Sequence, residues 1–307
     1  MFYRIADFPL EIVFAEGGRN DESLIPSFSV FKESKNDAVE TSDAQSAEPL
    51  LFRFLIDDSL APLRENRERI KEIDTGNGIT VIDRFPDGSY QFIIKDILGR
   101  DCTLLQTNSD FSVCRCALNG NFAMRNYGLN NALMLAFAFA GCHHEALLIH
   151  ASLVRQNGWG YAFIAKSGTG KSTQVSNWLR FIPGCDLMND DNPIIRIIHG
   201  AAWLYGSPWS GKTPCYRDLK APLGAITVID RAPENSIDRL SPIEAFVKIL
   251  PSCSSMKWDK SIYGNTCNNI IKLIESCNNN YILHCRPDDE AAIVCHNAIA
   301  HDTSKDS

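Results

Sequence analysis

The strongest constraint on the fold of this chain of 307 residues is the segment AKSGTGKS at residues 165–172. It matches the pattern of a phosphate-binding loop, in which a Gly-rich turn leads into Lys and Ser. Gly168 and Gly170 allow backbone angles and a close approach that a Cβ would prevent. The apolar run YAFIA precedes the loop, and the pattern from Thr173 to Phe181 predicts a helix after it. A strand, a loop and a helix in this order form the context in which such a loop binds phosphate.

The residue types of this loop predict ATP and Mg²⁺ as cofactors. Backbone N–H groups of residues 167–171 would point at phosphate oxygens, and the start of the helix adds the positive end of its dipole. Lys171 supplies a cation for the β- and γ-phosphates, and the Ser172 hydroxyl is placed for Mg²⁺. The predicted cofactor-binding residues of the loop are Ala165, Lys166, Ser167, Gly168, Thr169, Gly170, Lys171, Ser172 and Thr173.

A β-hairpin is predicted immediately before the loop. The run LLIHASLV, residues 147–154, is predicted as one strand, and Asn157-Gly158 separates it from YAFIA with the residues of a tight hairpin turn. A turn centred there places His150 opposite Ala165. Two interpretations stay open for His150, a residue that assists beside the phosphates and a core histidine in an apolar strand.

Asp190 and Asp191 form the second candidate element of the site. They follow a short apolar strand in LMNDDNP, and one helix and a return strand separate them from Lys171, so this strand end returns beside the loop. Two carboxylates there can divide the work of phosphoryl transfer, one holding Mg²⁺ and the other accepting a proton. The run NDDNP is also typical of a solvated turn, which is the alternative.

A second Gly-rich cluster, SPWSGKTP, occupies residues 207–214. Lys212 in this cluster is a further cofactor-binding candidate, since its ammonium would reach a phosphate or an acidic substrate group. The alternative is a Gly- and Pro-rich connection with a surface lysine.

The pattern of the whole chain predicts an α/β protein of two domains. Residues 1–145 are predicted as a β-rich domain with a mobile loop at 32–49 and a helix at 130–142 near its end. Residues 146–307 alternate between strands and helices, with helices near 242–250, 266–277 and 288–300. The strands predicted in the first domain are Phe2–Ile5, Glu11–Phe14, Leu51–Leu55, Ile79–Arg84, Tyr90–Lys95, Thr103–Gln106 and Phe111–Ala117.

Charge and hydropathy argue against general binding to nucleic acid and against insertion into a membrane. The chain carries 30 Lys and Arg against 37 Asp and Glu, a net charge of −7, which lacks the excess of cations that nucleic-acid binding needs. The most apolar run, Ala132–Cys142, is too short to span a bilayer. Arg4, Asp7 and Glu11 interrupt the apolar N-terminus, so we expect no secretory signal and a cytoplasmic location. The eleven scattered cysteines are expected to be mostly buried thiols.

The C-terminal half resembles the catalytic domain of HPr kinase/phosphorylase and related serine kinases, a group similar to phosphoenolpyruvate carboxykinase around the nucleotide. The resemblance is carried by IHASLV, AKSGTGKST and LMNDD and covers residues 145–300. The stretch GSPWSGKTPCYRDLKAPLGAI resembles uncharacterised bacterial members of the wider group. The resemblance implies a phosphoenolpyruvate carboxykinase-like P-loop domain with a mixed sheet.

The same resemblance implies roles by position. Asp190 would be the general base, Asp191 and Ser172 would serve Mg²⁺, Lys171 would contact the phosphates, and His150 would assist near the transferred group. The expected function is an ATP- and Mg²⁺-dependent kinase that phosphorylates a hydroxyl, with Ser of a protein or peptide as the acceptor. The alternatives are a regulatory protein that binds ATP without catalysis and a simple ATPase. A homo-oligomer is left open, and neither nucleic acid nor membrane is expected as a partner.

Overall fold

A computed structural model describes residues 1–15, 17–33, 48–166, 168–211 and 213–301 of the chain. It is a mixed α/β protein with two mixed sheets, and the chain divides into two compact units, Met1–His143 and His144–Ser307. Most of the loop predicted at 32–49 lies outside the described residues. The same is true of two predicted cofactor-binding residues, Ser167 and Lys212.

The N-terminal unit contains one eight-stranded sheet in the order β1-β2-β3-β8-β7-β6-β5-β4. The strands from β4 to β8 form an antiparallel meander, whereas β3 runs parallel to both β2 and β8. The strands are β1 (Phe2–Ile5), β2 (Phe8–Phe14), β3 (Arg53–Ile56), β4 (Glu68–Asp74), β5 (Gly78–Arg84), β6 (Tyr90–Asp96), β7 (Asp101–Thr107) and β8 (Val113–Leu118).

One long helix, α1 (Phe122–Gly141), packs against β6, β7 and β8 of this sheet. The predicted start at residue 130 was wrong, because the helix begins at the Asn121 cap, whose side chain accepts from the backbone N–H of Met124. Arg125, Asn126 and Gly128 interrupt the apolar residues of the first two turns, so the apolar run that guided the prediction marks only the second half of the helix. Short 3₁₀ turns lie at Glu22–Leu24, Pro26–Phe31, Cys142–His144 and Leu250–Ser252.

The C-terminal unit is built on a nine-stranded mixed sheet. Its main path is β12-β10-β11-β15-β14-β13-β9, and β17 pairs with β15 and with β16. The strands are β9 (Ala146–Leu148), β10 (Ala151–Gln156), β11 (Trp159–Ile164), β12 (Asp186–Asp191), β13 (Ile194–Ile198), β14 (Ala201–Tyr205), β15 (Lys220–Arg231), β16 (Ser236–Arg239) and β17 (Asn280–Cys285). The helices are α2 (Lys171–Phe181), α3 (Pro242–Ile249), α4 (Lys260–Ser276) and α5 (Asp289–Ile299).

Strand direction brings four strand ends to one edge of this sheet. β15 runs parallel to both β11 and β17. β11 and β12 each run antiparallel to β10, so β12 points the same way as the other three. The carboxyl ends of β12, β11, β15 and β17 therefore lie along one edge, where ligands commonly bind to sheets of this kind. The start of β10 lies at the same edge.

Helices cover both faces of the sheet and bury two apolar cores. α3 and α4 contribute Ala245, Ile249, Ile270 and Leu273 to the core on one face. On the other face α2 and α5 pack together, and Trp178 of α2 is fully buried there. The Trp178 ring lies 5.3 Å from the rings of both Tyr161 and Phe163. This packing fixes α2 on β11, and so fixes the two ends of the loop that joins them.

The predicted strand at residues 147–154 was wrong in one respect, because the structure divides it into β9 and β10. β9 pairs with β13, whereas β10 pairs with β11 and β12, so the chain crosses from one part of the sheet to another between them. The backbone N–H groups of Ile149 and His150 donate to Pro193 and Ser252. His150 therefore lies at a break between strands. The register predicted for the hairpin is confirmed, with Ser152 opposite Phe163.

Two general features of the chain bear on its class. Within the described residues, no helix combines the length and the apolarity needed to cross a bilayer. All eleven cysteines are free thiols and nine of them are buried, which confirms that they are mostly core residues.

Candidate functional site

The phosphate-binding loop connects the end of β11 to the start of α2. Gly168 and Gly170 have φ angles of +76° and +124°, in the left-handed region that residues with a Cβ rarely adopt. The backbone N–H of Thr169 donates to the Lys166 carbonyl at 3.1 Å and closes a turn. The other predicted loop residues are positioned as follows: Ala165 is half-buried, Lys166 is exposed, and Ser172 and Thr173 are exposed in the first turn of α2.

The start of α2 has no capping side chain. Its N-cap is Gly170, which makes no side-chain hydrogen bond to the helix, and its first turn contains no acidic residue. The other four α-helices begin with a side chain that accepts from a backbone N–H of the first turn, a contact worth about 1 kcal/mol. The first-turn N–H groups of α2 thus remain without such a cap, as at an anion-binding helix start. The four capping residues are Asn121, Ser241, Asp259 and Asp288.

Lys171, His150 and Asp191 form a continuous cluster at this helix start. The Lys171 Nζ lies 3.0 Å from His150 Nε2, and His150 Nδ1 lies 2.9 Å from Asp191 Oδ1. Lys171 Nζ is also 4.0 Å from the same carboxylate oxygen. Burial lowers the pKa of Lys171, while the Asp191 and Asp190 carboxylates oppose that shift. A half-buried cation at the positive end of a helix dipole is unfavourable by itself, so this arrangement favours a bound anion.

Asp191 is held as a carboxylate at a strained backbone position. Burial acts to raise its pKa, but the hydrogen bond from His150 and the charge of Lys171 outweigh it and lower the pKa. Its φ of +129° is rare for a residue with a side chain, and such a conformation costs about 1–3 kcal/mol. The Asn192 amide donates to its Oδ2 at 2.8 Å. The Asp191 carboxylate is therefore held near Lys171 by a strained backbone conformation.

Asp190 has a different environment from its neighbour. Its side chain is 8% exposed, and its Oδ1 accepts a hydrogen bond of 2.6 Å from the Ser152 hydroxyl. Its backbone carbonyl accepts from the Ser210 hydroxyl at 2.9 Å and from the Gly211 N–H. The alternative of a solvated turn was wrong for this residue, because β12 continues through Asp191 and the opposing strand β10 covers Asp190.

Buried polar residues that sequence analysis missed hold the end of β12. Asn189 is fully buried, and its amide donates to the Ser207 hydroxyl at 3.2 Å and to the Trp209 carbonyl at 3.3 Å. Ser207 in turn donates to the Asn192 carbonyl at 2.6 Å. The second Gly-rich cluster thus packs against the aspartate pair. The unusual composition of this cluster was a usable signal of a structural role. The sequence analysis instead predicted a role for Lys212, which lies outside the described residues.

Sequence analysis also missed Arg231, a charged residue that contacts the loop. It ends β15, and its Nε donates to the Thr169 carbonyl at 3.0 Å while its Nη2 donates to the Gly168 carbonyl. Beyond β17, Arg286 is paired with Asp288 and Glu290 at 2.9 and 3.0 Å. A cavity of about 360 Å³ lies between these strand ends and the loop. Its lining residues are Thr169, Gly170, Thr173, Gln174, Arg231, Ala232, Cys285, Arg286 and Pro287.

The donor set fits Mg²⁺ bound together with phosphates better than a metal held by protein alone. Within the described part of the chain, no group of three or more His, Cys, Asp and Glu side chains is gathered for a metal ion. Mg²⁺ commonly uses one or two carboxylates and takes its remaining ligands from phosphates and water. Asp191 beside the loop, with Ser172 in the first turn of α2, matches that requirement.

Comparison of the sequence with models of protein families and with curated proteins finds no match. The function of the site therefore has to be inferred from its own geometry.

Proposed function

We propose that this protein is an ATP- and Mg²⁺-dependent kinase that transfers the γ-phosphoryl group to a hydroxyl, with Ser of a protein or peptide as the acceptor. The observation that carries the proposal is the uncapped start of α2, where Lys171 meets the His150–Asp191 pair. A triphosphate at this position would satisfy the uncapped N–H groups and balance the half-buried ammonium.

A phosphoenolpyruvate carboxykinase-like P-loop fold for the C-terminal unit is part of this proposal. Its support is the antiparallel β10–β11 hairpin, because the loop strand of an ordinary P-loop protein belongs to a parallel βαβ unit. The cavity of about 360 Å³ beside the loop supports nucleotide binding, since ligand pockets typically span about 300–1,000 Å³.

Each residue of the site has a proposed task. Ser172 and Asp191 would hold Mg²⁺, which supplies positive charge against the phosphate oxygens. Lys171 would contact the β- and γ-phosphates, and Asp191 orients His150 so that its Nε2 faces the same region. Asp190 would accept the proton of the attacking hydroxyl, with Ser152 holding its carboxylate in place.

A regulatory protein that binds ATP without transferring phosphate is the second candidate. The observation that favours it is the engagement of Asp190, which is buried and bonded to Ser152. A carboxylate that only stabilises the end of β12 would need no contact with an acceptor hydroxyl. Phosphoryl transfer to an acceptor separates the two candidates.

The test is incubation of the purified protein with γ-labelled ATP and Mg²⁺, with and without Ser-containing proteins and peptides. Label on an acceptor supports the kinase, release of phosphate without an acceptor indicates a simple ATPase, and binding without either indicates the regulatory protein. Lys171→Ala should weaken ATP binding or transfer by orders of magnitude, whereas Lys248→Ala on α3 is the matched control. Unchanged ATP affinity and turnover in Lys171→Ala would contradict the assignment of the loop.

A further inference from the structure

The Arg231 guanidinium lies against the phosphate-binding loop and contacts it through two backbone carbonyls. The acceptors are the adjacent residues Gly168 and Thr169, so one planar group bridges two consecutive peptide units. Arg231 comes from the end of β15, the strand parallel to β11 and next to it in the sheet. Arg231 therefore extends from a strand that is paired with another strand on each side.

The contact acts on the orientation of the peptide groups. A loop that binds phosphate must turn consecutive N–H groups toward the ligand, and it can do so only if the carbonyls of those peptides turn elsewhere. Gly168 and Gly170 provide the unusual φ angles for this, but glycine also leaves the loop free to take other conformations. Hydrogen bonds from the Arg231 guanidinium to the carbonyls would select the orientation in which the N–H groups face the ligand.

The surroundings of Arg231 contrast with those of Arg286, which lines the same cavity. Arg286 pairs with the carboxylates of Asp288 and Glu290. Within the described residues, no carboxylate lies in ion-pair contact with Arg231, and its hydrogen bonds to the loop are charge-assisted. The guanidinium of Arg231 thus donates its hydrogen bonds to the loop, and it adds positive charge beside the phosphate site.

We propose that Arg231 is a positioning residue that holds the phosphate-binding loop in its anion-binding conformation. The proposal rests on the proposed function of the loop and assigns Arg231 no contact with the reacting atoms. It predicts that Arg231 affects binding of a phosphate chain whether or not a nucleoside is attached, because the loop is the part that it controls.

The first test compares the affinities of ATP and inorganic tripolyphosphate, both with Mg²⁺, for the wild-type protein and Arg231→Gln. We expect both ligands to bind about tenfold more weakly to the variant, the loss that corresponds to one charge-assisted hydrogen bond. Arg239→Gln is the matched control, because Arg239 at the end of β16 also donates to a backbone carbonyl but does not line this cavity, and it should leave tripolyphosphate affinity unchanged. Arg231→Lys should recover only part of the loss, since an ammonium lacks the planar fork that spans two acceptors.

Other results would overturn the proposal. Loss of ATP affinity alone would make Arg231 a nucleoside contact, and loss of transfer with both affinities intact would make it a group that acts on the transferred phosphate. Full recovery in Arg231→Lys would mean that only the charge matters.

A second measurement needs no ligand, so it separates this proposal from the proposed function. Amide hydrogen exchange of the peptide covering residues 165–171 should accelerate in Arg231→Gln and stay unchanged in Arg239→Gln. Equal exchange in Arg231→Gln and wild type would overturn the positioning role. Faster exchange in a protein that binds neither tripolyphosphate nor ATP would support the positioning role and reject only the nucleotide function.

Discussion

At the scale of single residues, the site depends on two neighbouring aspartates that face different partners. Asp191 contacts His150 and lies within reach of Lys171, whereas Asp190 accepts from Ser152 and is nearly inaccessible. Adjacent residues of a strand point to opposite faces, so a pair of this kind cannot share one environment. Two carboxylates in such different surroundings are suited to different tasks.

The first prediction concerns this pair. Asp190→Asn should retain Mg·ATP affinity to within a few-fold while transfer falls by about 10²–10⁴-fold, because an amide cannot take the proton of the acceptor. Asp191→Asn should weaken Mg²⁺-dependent binding, with partial recovery at high Mg²⁺. Titration of Mg·ATP binding and rates of transfer for both variants check this. The reverse pattern would exchange the two roles, and normal binding and transfer in both variants would show that the pair takes no part in catalysis.

The second prediction concerns Asp186 at the start of β12. Burial acts to raise the pKa of this carboxyl, but hydrogen bonds from Arg155 and Arg217, at 2.8–3.1 Å, outweigh it and lower the pKa. A pKa below that of the unfolded chain stabilises the fold above the unfolded value, about 3.9 for Asp, and the contribution disappears as the pH falls through the folded value.

Asp186→Asn should therefore be less stable than wild type by about 1 kcal/mol at neutral pH, a modest figure because the group is partly exposed. The difference should shrink toward zero as the solution is acidified below the unfolded pKa. Urea denaturation of both proteins across this pH range measures it. A difference that is constant with pH would show that the Arg155–Asp186–Arg217 contact is not what stabilises the strand.

Sequence reasoning reached the residues that carry a motif and missed those that support them. The loop, His150 and the aspartate pair were found because their chemistry follows a spacing pattern. Ser152 and Arg231 belong to no pattern, and their roles arise only when strands 30 or more positions apart along the chain are brought together. The opposite orientation of Asp190 and Asp191 was foreseeable from strand alternation, but which of them faces Lys171 depends on the strained backbone of Asp191.

At the scale of elements, the loop and α2 depend on one glycine at their junction. Gly170 has a φ of +124°, and a Cβ added there would meet no heavy atom within 4 Å. The requirement for glycine is thus conformational and does not come from crowding. A substitution at this position tests backbone geometry without creating a clash.

The third prediction is that Gly170→Ala loses about 1–3 kcal/mol of stability, or else shifts the loop and loses phosphate binding, because alanine resists this φ. Gly264→Ala is the matched control. It lies within α4, also in open space but without a positive φ, so alanine should stabilise the protein there by about 1 kcal/mol. Urea denaturation and ATP titration of both variants decide the matter. A neutral Gly170→Ala would contradict the φ requirement.

Element prediction succeeded where side chains alternate or form long apolar runs and failed where they do not. β4 was missed because its sequence, ERIKEID, is charged on both faces, which suits an edge strand that must resist pairing with other chains. β17 was missed because its five-residue core, YILHC, is short and follows a polar run directly. The early turns of α1 were missed because Arg125, Asn126 and Gly128 interrupt their apolar residues.

At the scale of the whole molecule, each unit has a sheet of its own. The eight strands of the first sheet end at Leu118, and the nine strands of the second begin at Ala146. α1 packs on strands of the first sheet. Each unit therefore contains the elements of a separate hydrophobic core, and the candidate site draws all its described residues from the second.

The fourth prediction is that a fragment of residues 144–307 folds and binds Mg·ATP within a few-fold of the full chain, while phosphorylation of a protein acceptor declines because residues 1–143 would present it. Circular dichroism and ATP titration of the fragment measure the first part. A folded fragment without ATP binding would mean that residues 1–143 are required for the site. Undiminished transfer would show that residues 1–143 do not present the acceptor.

The missing cap of α2 has a consequence for the amount of this protein as well as for its chemistry. A helix that is left open at a binding site takes part of its stability from its ligand. With the proposed nucleotide at one hundred times its dissociation constant, the folded state would gain about 2.7 kcal/mol, a large share of the roughly 5–15 kcal/mol that holds most domains together. The unfolded fraction, which proteases remove, would then rise whenever ATP falls. The lifetime of the protein would itself become a gauge of the energy supply around it.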